Sequence, residues 1–263
     1  MRLGRQNRIC VRTTAMARLV VSLLVAIGTA RAGPPYATDD PEPVPLHAWE
    51  IYAAAVTERG LEGWTGTAPH FEVNYGAAPE IQVHLITPLA YSAPRSGTFA
   101  YGPGDAELGI KARFVSEGQT TPQIGIFPLV ELPTGESTRG LGEAHVRVFL
   151  PIWFQKSFGA WSTYGGGGYW FNPGRNNRDW FYAGWQVQRQ LTPRLTAGIE
   201  VYHTTPNAAG DRHETRFNIG STLDLTGRSH LLVSVGRGIQ GPNRLQAYVA
   251  YLLTIAPATK RTQ

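Results

Sequence analysis

Cysteine is almost missing: the 263 residues hold one, Cys10. A lone thiol excludes a disulfide framework and a thiolate metal site. Helical patterning is missing as well, since no 3.6-residue apolar stripe persists past two turns. There is also no apolar run of the roughly 20 residues that a membrane-spanning helix needs. The longest N-terminal run, "LVVSLLVAIGT" at 19–29, falls short of that length. What is abundant is glycine, with 30 residues, and proline, with 19.

Arg2, Arg5, Arg8, Arg12 and Arg18 precede that apolar run without an acid among them, and "ARA" follows it at 30–32. A basic region, a short apolar core and a small-x-small site make a secretory signal peptide, cleaved near Ala32. Six of the 24 Lys and Arg lie in residues 1–32, leaving 18 against 19 Asp and Glu, a mature charge near −1. The basic sequence pI of about 9.5 therefore belongs to the leader, and it offers no argument for nucleic-acid binding. Cys10 leaves with the leader.

Residues 33–46, "GPPYATDDPEPVPL", carry prolines at 34, 35, 41, 43 and 45. Proline fixes φ and has no donor, so this is an extended lead-in and not a ladder strand. It precedes the first strand and is expected to occlude the periplasmic mouth. Asp39 and Asp40 read as a solvated acidic turn, because the wider oxygen-ligand spacing of a calcium loop is absent.

From His47 onward, period-2 alternation recurs in twelve segments, near 47–58, 64–76, 79–90, 104–117, 121–132, 144–155, 160–171, 179–190, 194–204, 213–225, 229–239 and 243–254. After the first loop the connections alternate in length. "GAAP" (76–79) is short and 91–103 long; "EGQTT" (117–121) is short and 133–143 long; 204–213 is long and 225–229 short. Sorting of this kind, with an even strand count, belongs to membrane barrels with tight periplasmic turns and longer outer loops. A soluble sandwich has no reason for it. "GGGG" at 165–168 sits inside a strand, where it either lets neighbouring rings pack on bare backbone or makes a bulge.

One face of the segments is apolar, with Val83 and Leu85, Val148 and Leu150, Ile199 and Val201, and Val233 and Val235. The other holds the candidate pore-lining residues: Glu72, Glu80, His84, Asp105, Glu107, Lys111, Arg113, Glu131, Arg147, Glu200, Arg216 and Asp224. Segment lengths suit tilted membrane strands. Aromatics such as Trp64, Tyr75, Tyr169, Trp170 and Trp180 crowd the segment ends as interfacial girdles do. The reading is an all-β, antiparallel transmembrane outer-membrane β-barrel of about 12 strands, apolar outward to lipid and polar inward to a wet lumen.

The stretches "GPPYATDDPEPVPLHAWEIY" (33–52), "GPGDAELGIKARF" (102–114), "PLVELPTGES" (128–137) and "GGGGYWF" (165–171) resemble the outer-membrane barrel family of the MetA-pathway of phenol degradation. The resemblance runs over most of the mature chain. It implies a signal-bearing barrel that transports hydrophobic or aromatic compounds. It brings no binding residues with it, and the tail "APATKRTQ" departs from barrels that end on an aromatic of the last strand.

Catalytic and metal chemistry find little support. The seven histidines show no ligand spacing, so neither a metal nor a cofactor is expected. Ser162 and Ser234 lie in strands without a nucleophile motif, which disfavours a lipid hydrolase. "LPTG" (132–135) and "GPGD" (102–105) read as turns. The expected organisation is a signal peptide (1–32), a proline-rich lead-in (33–46), a barrel (47–255) and a short tail (256–263). The expected function is a non-enzymatic channel or transporter for small solutes in the outer membrane of a Gram-negative bacterium. The alternative is a structural or adhesive barrel whose inward charges pair across a filled lumen. N-terminal sequencing of the exported protein should begin at Gly33, in the outer-membrane fraction. Recovery from the periplasm without detergent would refute the assignment.

Overall fold

Twelve antiparallel strands, each paired with its neighbours in sequence, make up the computed structural model, which describes residues 34–257. The leader, its cleavage site and the end of the tail lie outside the described residues. The strands are β1 (Trp49–Arg59), β2 (Gly63–Ala78), β3 (Ile81–Pro94), β4 (Ala100–Pro103, resuming at Ala106–Val115) and β5 (Gln123–Ile126, resuming at Leu129–Leu132). They continue with β6 (Arg147–Phe158), β7 (Trp161–Phe171), β8 (Trp180–Thr192), β9 (Leu195–Thr204), β10 (Glu214–Asp224), β11 (Ser229–Gln240) and β12 (Leu245–Ile255). β12 pairs with β1 along its length, from Trp49 opposite Ile255 to Arg59 opposite Leu245. The sheet closes on itself and leaves no edge. A three-residue 3-10 turn, Ser137–Arg139, is the one helical element among the described residues.

The alternation in the sequence becomes an inside and an outside. Val83, Leu85, Ile110, Leu150, Ile199 and Val235 point outward and are 39–52% exposed. Their strand neighbours Gln82, His84, Lys111, Gln155, Glu200 and Asn218 are buried. This inverts the burial of a soluble protein. It is what a closed barrel with an apolar outer band requires.

Both interruptions have local causes. In β4 the ladder stops at Gly104 and Asp105, where Gly104 N donates to Pro88 O at 2.9 Å. The Asp105 carboxylate turns to the 133–146 loop and accepts Gly135 N at 2.8 Å and Glu143 N at 2.5 Å. In β5 the break falls at Phe127 and Pro128, and proline cannot donate to a ladder. The 133–146 loop then folds inward, burying Leu141 against Ala90 and Ala100 of the inner wall.

The four glycines 165–168 hold a regular register, Gly165 opposite Trp185 and Gly168 opposite Tyr182, so there is no bulge. Rings pack on them from both faces instead. A Cβ on Gly165 would lie 2.5 Å from Cε3 of Trp185, and one on Gly168 would lie 2.6 Å from Cε2 of Phe149.

The connections sort less sharply than their lengths in the sequence imply. Residues 100–103 pair with 89–92, which reduces the expected 91–103 loop to 95–99. Long connections are 133–146, 172–179 and 205–213, all at one end of the barrel. Tight turns at 79–80, 159–160, 193–194 and 225–228 lie at the other end, as do the start of β1 and the end of β12. Protease added to intact cells should cut within 133–146 or 205–213 and spare 79–80 and 225–228. Cleavage confined to the tight turns would mean the opposite orientation.

Candidate functional site

A twelve-stranded barrel is wider than the eight-stranded ones that side chains alone can fill. Here the lead-in occupies the remaining space. Residues 34–46 run through the interior from the β10–β11 wall across to β3, entering from the tight-turn end. Thr38 and Asp40 are at most 1% exposed. Tyr36 OH donates to Gly220 O at 2.9 Å, and Ser234 Oγ donates to Pro35 O at 2.6 Å. Farther along, Val44 N donates to Gln82 Oε1 at 2.9 Å. Burial pushes the Tyr36 phenol up to about 12, so it remains a donor at physiological pH.

The prolines explain why such a segment tolerates burial. Each buried backbone N–H needs an acceptor, and Pro34, Pro35, Pro41, Pro43 and Pro45 have no N–H to satisfy. Two of the donors that remain, Ala37 N and Thr38 N, give to the two oxygens of Glu200, each at 2.8 Å. Asn218 Nδ2 adds a third bond at 2.5 Å. Hydrogen bonds to a charged group contribute about 1.5–3 kcal/mol each. Removing one carboxylate from water costs several kcal/mol. The lead-in thus supplies two of the three bonds that replace water at this carboxylate.

The second anchor is ionic. Lys111 Nζ lies 2.8 Å from Asp39 Oδ1 and 3.6 Å from Asp40 Oδ2, over the Phe127 ring at 4.9 Å. Asp39 and Asp40 are therefore not the solvated acidic turn their sequence suggests. The buried Lys111 ammonium requires a counter-charge and draws them inside. Two carboxylates facing one ammonium leave one in excess. Burial consequently raises the Asp40 carboxyl well above the usual carboxylate range, against the pull of Lys111. Glu42 completes the contact, accepting Gln123 Nε2 at 3.3 Å and Gln155 Nε2 at 3.4 Å.

The wall is shaped for this segment. Lumen-facing glycines on four strands stand where the lead-in passes. A Cβ on Gly220 would lie 3.0 Å from Cε1 of Tyr36, and one on Gly125 3.0 Å from Cβ of Pro41. On Gly184 it would collide with Thr38 Oγ1, and on Gly76 with the carbonyl oxygens of Val44 and Pro45.

The other predicted lining residues form local networks. His84 Nδ1 is 2.6 Å from Asn74 Oδ1, while its Nε2 is 3.1 Å from Glu107 Oε1. Glu72 Oε1 accepts Asn74 Nδ2 at 2.8 Å. Arg147 grips Glu131 with two bonds, at 2.5 and 3.1 Å, and reaches Glu143 at 3.2 Å. Arg216 pairs with Glu58 at 2.6 Å and Glu214 at 2.7 Å. Three predicted positions lie off the barrel wall proper. Glu80 sits at a tight turn with φ +63° and pairs with Arg113; Asp224 ends β10 beside His230 at 2.5 Å; Asp105 anchors the inward loop.

Above the lead-in, a cavity of about 280 Å³ is lined by Val56, His70, Ile86, Pro88, Glu107 and Glu131 among others. A second of about 190 Å³ shares Thr67, Pro88, Asp105 and Glu131 with it and reaches Leu141 and Arg147. Across from them runs an aromatic wall. Phe149 stacks on Trp170 (4.8 Å), Trp170 on Trp180 (5.1 Å) and Tyr182 on Tyr202 (5.7 Å). Arg147 lies over both tryptophans. Among the described residues no three His, Cys, Asp or Glu side chains converge as a metal site. Sequence reading passed over Glu58, Glu214, Gln123 and Gln155 as site residues, although period-2 alternation puts Gln123 and Gln155 on the inward face.

No family model matches the chain, and no curated protein matches it either. Its fold is similar to that of an outer-membrane channel from Pseudomonas putida F1, at 17% identity over 86% of this chain and 100% of that one, with a TM-score of 0.67. It is also similar to the KdgM porin in complex with disordered oligogalacturonate (9% identity, 79% and 99% coverage, TM-score 0.55). A third is the translocator domain of the autotransporter NalP from Neisseria meningitidis (9% identity, 78% and 88% coverage, TM-score 0.54). At these identities the likeness is one of fold.

Because Asp40 binds a proton more tightly with the lead-in seated than free, seating takes up a proton. It is favoured at acid pH, weakens as pH rises from the ordinary carboxylate range to the raised value, and levels off above it. Single-molecule conductance should therefore increase with pH in the wild type, and Asp40→Asn should flatten the dependence. An unchanged slope in the variant would exclude Asp40 as the titrating group.

Proposed function

We propose that this chain is an outer-membrane channel that passes small solutes through its lumen when residues 34–46 withdraw from it. The observation that carries the reading is the division of labour inside the barrel. The wall is polar and grooved, and what fills the groove is a covalently continuous but separable segment without a ladder strand of its own. A barrel meant only as a scaffold would fill its interior with wall side chains, as small barrels do. The apolar outer band and the export signal both suit the outer membrane. The similar folds include a channel and a porin, which is in keeping with passage.

In this reading Glu200, Lys111 and Gln82 hold the closed state and line the path once released. Glu72, His84, Glu107, Glu131, Arg147 and Arg216 form the charged wall above them, with Glu80, Arg113 and Asp224 at the tight-turn rim and Asp105 under the inward loop. The four quoted sequence stretches resemble the MetA-pathway barrel family, and that resemblance implies hydrophobic or aromatic solutes. The stacked Phe149, Trp170 and Trp180 rings give aromatic compounds a surface to follow. No chemical step is assigned.

A tether tests the reading directly. The mature chain is expected to lack cysteine, so Gly125→Cys with Pro41→Cys introduces the sole thiol pair. The Cβ separation of 3.0 Å is about 0.5 Å short of the usual disulfide range, and the new Cβ also meets Ala112 O at 2.7 Å, so the β4–β5 ladder must shift locally to accept the bridge. Oxidised protein in a planar bilayer should lose its current, and reductant should restore it. Equal currents in both states would show that the lead-in does not gate passage.

A further inference from the structure

The inner wall is chemically divided. The charged lumen residues described above come from β1–β5 and β9–β10, together with Arg147 at the loop end of β6. Below Arg147, the inward positions of β6, β7 and β8 carry no charge at all: Phe149, Trp153, Gln155 and Ser157, then Ser162, Tyr164 and Trp170, then Trp180, Tyr182, Gln186 and Gln188. Register places Gln155 opposite Tyr164 and Tyr164 opposite Gln186, so the two amides flank one tyrosine in a single row across three strands. Ser162 stands two residues along on the same face.

This row has hydrogen-bonding capacity that the lead-in does not use. Gln155 Oε1, Gln186 Oε1, Ser162 Oγ and Trp153 Nε1 are buried without a hydrogen-bond partner, on side chains at most 2% exposed. Gln155 gives its Nε2 to Glu42 and Gln186 gives its own to Gln188, which leaves both carbonyl oxygens unmet. Leaving such groups unmet is costly, and several in one row beside aromatic rings form a surface in need of a ligand. Two amide oxygens and a hydroxyl call for a solute rich in O–H donors. The adjoining rings call for one with flat faces, and the absence of charge calls for a neutral one.

We infer that the β6–β8 row is a binding site for neutral polyhydroxylated ring solutes, that is, small saccharides, exposed when the lead-in withdraws. The inference rests on the channel reading and gives the lumen a second solute class beside the hydrophobic or aromatic one that the family resemblance implies. Once the lead-in leaves, ring hydroxyls donate to Gln155 Oε1 and Gln186 Oε1, a ring oxygen accepts from Trp153 Nε1, and the sugar face lies along Tyr164 or Tyr182.

Full-length protein in a planar bilayer provides the test, with potassium current as the readout. Millimolar glucose should reduce the wild-type current by residing in the path. Proline, a smaller, zwitterionic ring solute without alcohol hydroxyls, should not. Gln186→Leu with Ser162→Ala should keep the potassium current and weaken glucose block about five-fold, the loss expected for one or two neutral hydrogen bonds. Liposome swelling in glucose should slow in parallel. Absence of any potassium current, even in reduced, untethered protein, overturns the channel reading and this inference with it. A potassium current that glucose and proline affect equally, or a double variant blocked as strongly as wild type, overturns the saccharide site alone. The comparison of glucose with proline needs no variant and decides the matter should the double variant fail to fold.

Discussion

The continuous pairing of β1 with β12, from Trp49 and Ile255 to Arg59 and Leu245, satisfies the last two rows of backbone donors and acceptors in the sheet. In hydrocarbon no water is available to do so, and each unmet group costs several kcal/mol. Closure therefore decides the rest. Once the sheet has no edge it has an inside and an outside, and alternation assigns every second residue to one or the other. Val235 can then stand in an apolar band while Asn218 is buried with charged neighbours. The same closure encloses a volume that wall side chains cannot fill unaided.

Filling that volume poses the problem of satisfying a buried backbone twice over, once for the wall and once for the filler. Prolines remove much of the second demand. Glu200 meets part of what remains, and Lys111 supplies the charge that Asp39 and Asp40 need. Glycines at 76, 125, 184 and 220 leave the room. These are one arrangement seen from two sides: Glu200 and Lys111 exchange water for groups of the lead-in, and the lead-in exchanges water for theirs.

Much of the fold was legible because period 2 is a local signal. The twelve segments, the outward Val83 and Leu85, and the ring packing on Gly165 to Gly168 all follow from residues close in sequence. The interior was legible only as a set of polar side chains. Ala37 and Glu200 lie 163 positions apart, and Val44 and Gln82 lie 38 apart, so no spacing rule joins them. The acidic pair at 39–40 looked solvated because its partner Lys111 comes from β4. Loop lengths misled in a different way. Residues 91–103 hide a continuation of the ladder, and 133–146 turns inward through Asp105 and Leu141, contacts that proline and glycine content alone does not reveal.

Because the lead-in runs into β1 without a break, the exit and return proposed for it are intramolecular events. Leu46 bridges Gly76, and Trp49 already belongs to the ladder, so the segment swings from a fixed hinge. A short tether of this kind holds the segment near its seat at an effective concentration on the order of millimolar. A seat of only millimolar intrinsic affinity would then be occupied about half the time, and each additional tenfold in affinity needs about 1.4 kcal/mol. The contacts to Glu200, Lys111 and Gln82 thus set dwell times more than they decide whether closure happens at all. A dissolved competitor for the same groove would have to match that local concentration before it displaced the chain's own segment.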